Sequence, residues 1–324
     1  MGSMKIKDFI YGEFEIIEPV LLELIKSKPV QRLKKISQYG VPTEYYLFPG
    51  FSRYDHSVGV MLLLRKLGSD LEEQVAGLLH DVSHTAFSHV VDWVSGDISK
   101  ENFQDKNHSR IIKTSEIPKI LKKYKLDTKK IVNLKNYPLL EKESPDLCAD
   151  RIDYALREFK LWLNPKIVNL CINNLIVENH EIVFKSKKIA KIFAEKFLVL
   201  QRKHWGSADV VIRYYYLSYI LKIAIGKKII FMDDLYIDDD YVMKKIKQSN
   251  NSKIQGIISK LEKKNKFKSL RIGKNVKKKF RYVDPKFLEK GRLSRLSSED
   301  TNFKKHLRNN KEFNKKGINV PLMH

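Results

Sequence analysis

Five of the nine histidines in the chain fall between positions 56 and 108: His56, His80, His84, His89 and His108. The densest run is Leu78-Leu79-His80-Asp81-Val82-Ser83-His84-Thr85-Ala86-Phe87-Ser88-His89, which sets an imidazole beside a carboxylate at the polar end of an apolar helical stretch. Adjacent residues of a regular helix point about 100° apart, so His80 and Asp81 can face one ion only where the helix ends. Neutral imidazole with carboxylate suits a divalent cation of the borderline class, Mn, Fe, Co, Ni or Zn, better than the oxygen shell that Ca or Mg prefers; Mg remains compatible with a phosphorylated substrate. Two more ligands are required. His56 lies on the preceding predicted helix, and a carboxylate is available in Cys148-Ala149-Asp150-Arg151-Ile152-Asp153-Tyr154, where periodicity leaves Asp146, Asp150 and Asp153 open. The chemistry such a group can do is metal-assisted hydrolysis: a bound cation lowers the pKa of water and polarises the centre under attack, while imidazoles titrating near neutrality pass protons.

The elements that must position these residues read mostly as helices. Apolar spacing of three and four through Ile17, Val20, Leu21, Leu24 and Ile25, then Val30, Leu33 and Ile36, predicts two helices with Pro29 in the first turn of the second and Gly40 ending it. A loop over 42–52 holds Phe48-Pro49-Gly50, and Tyr54 to Leu67 is helical up to Gly68. Ser69-Asp70-Leu71-Glu72 reads as a capping box that starts the helix carrying Val75, Leu78 and Leu79 inward. Ser144-Pro145 reads as the opening of a helix through Leu163, with Leu147, Ile152, Ala155, Leu156 and Phe159 on its apolar side. Leu175-Ile176-Val177 and Ile182-Val183-Phe184 flank Asn179-His180 as a small hairpin, and Ile189–Trp205 and Val210–Ile225 return to helix. The expected fold is mostly α with a minor β-hairpin, and Cys148, Cys171 and Trp162 are expected in its core.

Composition bounds the rest. The chain has 324 residues with 62 Lys plus Arg against 38 Asp plus Glu, a net charge of +24. From Tyr241 onward 25 cations face 6 anions, net +19, leaving +5 for the first 240 residues. The expected organisation is a catalytic body over 4–240 and a lysine-rich region over 241–324, frayed in its last 25 residues and able to attract a polyanion such as nucleic acid. No apolar run approaches the roughly 20 residues of a bilayer-spanning helix. Two isolated cysteines rule out a disulfide framework and suit a reducing, cytoplasmic compartment. Met1-Gly2-Ser3 reads as an expression scar rather than a targeting segment.

Five blocks recur together: Gln31-Arg32-Leu33-Lys34-Lys35-Ile36-Ser37-Gln38, Phe48-Pro49-Gly50, Arg53-Tyr54-Asp55-His56-Ser57-Val58-Gly59-Val60, the His80–His89 run, and Asp150-Arg151-Ile152-Asp153-Tyr154-Ala155-Leu156-Arg157. In this order they resemble the HD-domain phosphohydrolase superfamily, and within it the deoxynucleoside triphosphate triphosphohydrolase branch. The resemblance implies an HD-domain helical bundle in which His56, His80, Asp81 and Asp150 hold the metal. It also implies that His84 and His108 act on phosphate or as acid and base, that Arg53 and His89 contact phosphate oxygens, and that Gln38, Arg151, Tyr154 and Glu158 line the sugar and phosphate site. Arg151 and Glu158 stand where the mammalian branch has Lys and Asp, keeping charge but changing reach, and Ser109 stands where a Glu commonly follows the histidine. The later phosphate-gripping helix is represented by Gln201-Arg202-Lys203-His204-Trp205 in open register. The implied reaction converts a dNTP to deoxynucleoside and tripolyphosphate in an enzyme that forms homo-oligomers, and activation by nucleotide at a second site is not assumed. Two other readings are a phosphodiesterase or nuclease acting on cyclic nucleotides or nucleic-acid ends, and a nucleic-acid-binding regulatory module.

Overall fold

The computed structural model describes residues 2–95, 98–262 and 264–323. Its centre is the Arg53–Lys66 helix, started by a capping box in which Ser52 Oγ accepts from Asp55 N and Asp55 Oδ2 accepts from Ser52 N. Val60, Met61, Leu62, Leu63 and Leu64 are all buried, so this helix is apolar nearly all round. It packs on Leu71–Leu79 and on Ala149–Glu158. Both contacts use glycine: a Cβ on Gly77 would lie 2.5 Å from Leu64 Cδ1, and one on Gly59 would lie 1.9 Å from Arg157 Nη2. The cap of Leu71–Leu79 is Asp70 rather than Ser69, because the Asp70 carboxylate is the group that accepts from the third helical amide, Glu73 N.

Pro19–Lys26 buries Val20, Leu21, Leu24 and Ile25, whereas Ile17 stays outside it and exposed. The second predicted helix runs as Lys28–Arg32 and a 3-10 turn over Leu33–Lys35. Met4–Asp8 and Gly12–Ile16 form an antiparallel hairpin that the helical reading does not anticipate. The helix expected from Ser144-Pro145 begins instead at Ala149. Ser144-Pro145 is a cis peptide, Ser144 Oγ donates to Tyr282 O, and the chain becomes helical only after Cys148. It continues as a π-turn over Phe159–Leu163.

Leu175–Glu178 and Glu181–Phe184 pair as predicted, and a parallel step at Phe184 and Phe287 joins them to Lys286–Glu289 and Arg292–Arg295 in a four-stranded sheet. Lys187–Leu200 widens into a π-turn at Gln201–Trp205, and Ala208–Gly226 follows. The last residues are not frayed: Thr301–Lys315 is a helix with Phe303 fully buried, and Ile318–Val320 pairs with Lys274–Val276. The apolar anchors of this region are sparse in sequence, but Val283, Phe287, Leu296 and Phe303 enter the first core cluster, while Val276 and Val320 enter the second. Those two clusters meet along one seam, and the site lies on it. Tyr154 and Trp205 come from one side and Tyr39, Tyr46 and Tyr214 from the other.

Candidate active site

His80 follows the last turn of Leu71–Leu79, where the backbone leaves regular helix geometry, and so His80 and Asp81 turn toward one point. His56, one turn into Arg53–Lys66, and Asp150, in the first turn of Ala149–Glu158, meet them there. His56 Nε2 lies 2.9 Å from Asp150 Oδ1, 3.3 Å from His80 Nε2 and 3.8 Å from Asp81 Oδ2. His80 Nε2 lies 3.5 Å from Asp81 Oδ1 and 3.6 Å from Asp150 Oδ1. The other imidazole nitrogens are tied off: His56 Nδ1 faces Asp153 Oδ2 at 2.7 Å, and His80 Nδ1 faces Gly77 O at 2.7 Å. Each outer partner is an acceptor, which places the proton on Nδ1 and the Nε2 lone pair inward. Two imidazole nitrogens and two carboxylates converging in this way fit a divalent cation of the borderline class.

Burial raises the Asp81 carboxyl, but Arg53, then His80 and His84, outweigh it and hold it well below the ordinary range. Burial likewise opposes Asp150, and hydrogen bonds with His56 and His80 keep it low. The same carboxylates act in reverse on His80: burial pulls its imidazolium down, yet Asp81 and Asp150 push it up to about 9. A cation of higher charge at this point takes over that role.

Beyond the four donors lies a support chain that sequence reasoning missed in part. Arg157 Nε donates to Asp153 Oδ2 and Arg157 Nη2 to Asp8 Oδ2, so Asp153 is held in place while it orients His56. Helical spacing from Asp150 marks Asp153 and Arg157 as neighbours of the site, but nothing local marks Asp8. A second group, Glu141, Cys148 and Asp150, also brings ligand atoms together. There Arg151 Nη1 lies 3.2 Å from Cys148 Sγ, so a guanidinium already supplies the cation.

Three of the four donors, His80, Asp81 and Asp150, line a cavity of about 530 Å³, and His56 lies buried behind them. Of the other residues singled out from sequence, Gln38, Arg53, His84, His89, His108, Arg151, Tyr154 and Glu158 all line it. Arg53 donates from Nη1 to Asp81 Oδ2 at 2.7 Å and from Nε to Ser88 Oγ at 3.0 Å. His84 Nε2 lies 3.3 Å from Asp81 Oδ1, and the His84 and His89 rings meet edge to face. Ser83 Oγ donates to Gln104 Oε1 and can therefore accept from His108 Nδ1, 3.2 Å away. Among the described residues His108 Nε2 is buried with no hydrogen-bond partner, as is Gln38 Oε1. Arg151 is committed to the carbonyls of Asp146 and Lys142, which makes it a wall rather than a free arm.

Glu158 sits at the aromatic end of the cavity, accepting from Trp205 Nε1 at 3.0 Å with His204 Nδ1 at 3.3 Å. Burial holds its carboxyl well above the ordinary range. Of the Gln201–Trp205 run, His204 and Trp205 reach the cavity, His204 packed against Tyr39, Tyr46, Phe48 and Trp162. Arg202 lies instead over Phe313, and Lys203 is exposed. Lys278, Lys279 and Arg281 also line the cavity, although they belong to the lysine-rich region that the sequence reading set apart from the catalytic body.

The helical scaffold and the His-Asp centre define a class, the HD-domain phosphohydrolases, and the chain belongs to it: the HD-domain family model matches residues 53–158. Among its relatives, protein YdhJ of Bacillus subtilis (strain 168) is 37% identical over 287 residues, covering 87% of this chain and 88% of that one. The metal-dependent phosphohydrolase cns2 of Cordyceps militaris is 44% identical over 157 residues, 48% of this chain and 45% of that protein. The deoxynucleoside triphosphate triphosphohydrolase SAMHD1 of Bos taurus is 38% identical over 104 residues, 27% of this chain and 17% of that protein. The chain is thus a metal-dependent phosphohydrolase, and it spans less than half the length of the last two relatives. Among the described residues no helix is long and apolar enough to cross a membrane.

Proposed function

We propose that the chain hydrolyses deoxynucleoside triphosphates to deoxynucleoside and tripolyphosphate. The observation that carries this reading is the convergence of the His56, His80, Asp81 and Asp150 donors beside a cavity that holds aromatic rings and cationic side chains together. The match to SAMHD1, though confined to 104 residues, supports the same substrate class.

His56, His80, Asp81 and Asp150 hold the cation, whose chemistry is to activate water and to offset charge on a phosphate oxygen. Attack on the α-phosphorus forms a bond to the water oxygen and breaks the bond to the nucleoside 5′-oxygen. Water must lose a proton and the 5′-oxygen must gain one. His84 and His108 are the groups in reach, and the His108 Nε2 lone pair, with Nδ1–H turned to Ser83, is the proton acceptor. Arg53 and His89 take phosphate oxygens, while Gln38, Arg151, Tyr154 and Glu158 shape the sugar and phosphate site. This activity belongs in the cytoplasm, where Cys148 and Cys171 stay reduced, and the family resemblance adds a homo-oligomer.

The test is incubation of the purified protein with a dNTP panel and Mn or Mg, followed by chromatography, with elemental analysis of the same sample. Nucleoside plus tripolyphosphate is expected. Nucleoside monophosphate as product favours instead a phosphodiesterase acting on cyclic nucleotides or nucleic-acid ends, and no turnover with any cation removes the reading. His80→Ala and Asp81→Ala lose metal and activity together, whereas His84→Ala and His108→Ala keep the metal and lose about 100- to 10,000-fold in rate.

A further inference from the structure

One short segment of the C-terminal region, Lys278 to Arg281, brings three cations to the same cavity: Lys278, Lys279 and Arg281. Among the described residues the carboxylate within ion-pair distance of Lys278 and Arg281 is the fully buried Glu101. Arg281 Nη2 donates to Glu101 Oε2, whereas Lys278 Nζ stays 3.9 Å from Oε1, an oxygen that accepts no hydrogen bond. Lys279 Nζ reaches the carbonyl of Lys100. The Lys278 side chain is only 7% exposed and its ammonium lies 3.8 Å above the centre of the Tyr214 ring.

Neighbouring acids do not fill the deficit. Burial holds the Glu158 and Asp105 carboxyls above their ordinary range. Asp92 accepts from Phe103 N and faces His89. Burying an ammonium without a close anion is costly, and burial pulls Lys278 down to about 8. An anionic ligand in the cavity relieves that cost. Three cations against one carboxylate call for an anion with several charges spread along its length, which is the chemistry of a polyphosphate chain.

We propose that Lys278, Lys279 and Arg281 form a polyphosphate subsite, through which the C-terminal region completes the active-site cavity. The inference rests on the nucleotide reading above for its physiological ligand, but its binding chemistry stands apart from turnover. The arm is either part of a nucleoside triphosphate or free inorganic polyphosphate, and the experiment separates the two.

Calorimetric titration of the full-length, metal-loaded protein with sodium tripolyphosphate is compared across wild type, Lys278→Met, Lys279→Met and Arg281→Lys, with the exposed Lys304→Ala as charge control. Lys278→Met keeps the stem over Tyr214, and Lys279→Met removes a charge with no carboxylate partner to strand, so both are expected to fold, as thermal unfolding will show. Each subsite variant weakens tripolyphosphate binding by about tenfold or more, whereas orthophosphate binding and Lys304→Ala stay within about twofold of wild type. With dNTP as substrate the same variants raise KM. Wild type that fails to bind tripolyphosphate, or folded variants that bind it as wild type does, overturns the subsite even if dNTPs are hydrolysed. Variant-sensitive tripolyphosphate binding without hydrolysis of any nucleotide keeps the subsite, assigns it to free polyphosphate, and rejects the dNTP reading.

Discussion

At the scale of single residues, the site depends on which nitrogen of each imidazole carries its proton. Asp153 sets this for His56 from a position where it is fully buried and gripped by Arg157. Asp153→Asn keeps the shape but removes the charge and can present an amide donor to Nδ1. We expect metal affinity to fall about 10- to 100-fold in a chelator-competition titration, with the fold intact by circular dichroism. Glu158 supplies a pH-dependent case. Its folded-state pKa is raised by burial, so between its unfolded value near 4.5 and that raised value the native state binds more protons than the unfolded one. Its contribution to stability is therefore largest in acid and declines as pH rises through that window. Glu158→Gln is neutral throughout and still accepts from Trp205. Scanning calorimetry should show the variant gaining in Tm relative to wild type as pH rises above the unfolded value near 4.5, and parallel curves would show that burial leaves the carboxyl unshifted.

At the scale of elements, the loops that carry Gln38, Ser88 and His89 need an external brace. Phe87 and Ser88 both adopt positive φ, 62° and 46°, a conformation costly for side chains of their kind. Asp239, at the start of the Asp239–Gln248 helix, accepts from Phe87 N at 2.8 Å and from Ser37 N at 2.9 Å, tying both loops to one carboxylate. Ser88 Oγ then donates to Ser37 O and receives Arg53 Nε. Asp239→Ala strands two amides and is expected to cost about 2–4 kcal/mol in urea unfolding. It should also lower kcat about tenfold by freeing Arg53 and His89, with metal content unchanged. Unchanged kcat at reduced stability would make Asp239 a purely structural staple.

At the scale of the whole molecule, the basic region is woven into the cores. Val283, Phe287, Leu296 and Phe303 are nearly or fully buried in the first cluster, each worth about 1.5–3 kcal/mol of burial against a typical net stability of about 5–15 kcal/mol. A chain ending at Val276 is therefore expected to lose its cooperative thermal transition, read by circular dichroism. A sharp transition within a few degrees of wild type would show that residues 277–324 fold apart from the rest. The large positive charge thus serves two ends in one region, solvated lysines outside and Lys278 and Arg281 turned inward, with the exposed Lys279 at the cavity edge.

Much of the centre was legible in the sequence because its signals are local. His80-Asp81 at the end of an apolar run and His56 in the first turn of a helix are set by backbone periodicity, whereas Asp150 was singled out from Asp146 and Asp153 by the family resemblance and not by spacing. The Asn179-His180 hairpin was legible for the same reason. What only the tertiary structure decided are pairings between residues far apart in the chain: Asp8 with Arg157, Asp239 with Phe87 and Ser37, and Lys278 and Arg281 with Glu101. A lysine reads alike in a sequence whether its ammonium meets water or a buried carboxylate. Which it meets is decided by where the sparse apolar anchors on either side of it, Val276 and Val283, find their place in the two cores.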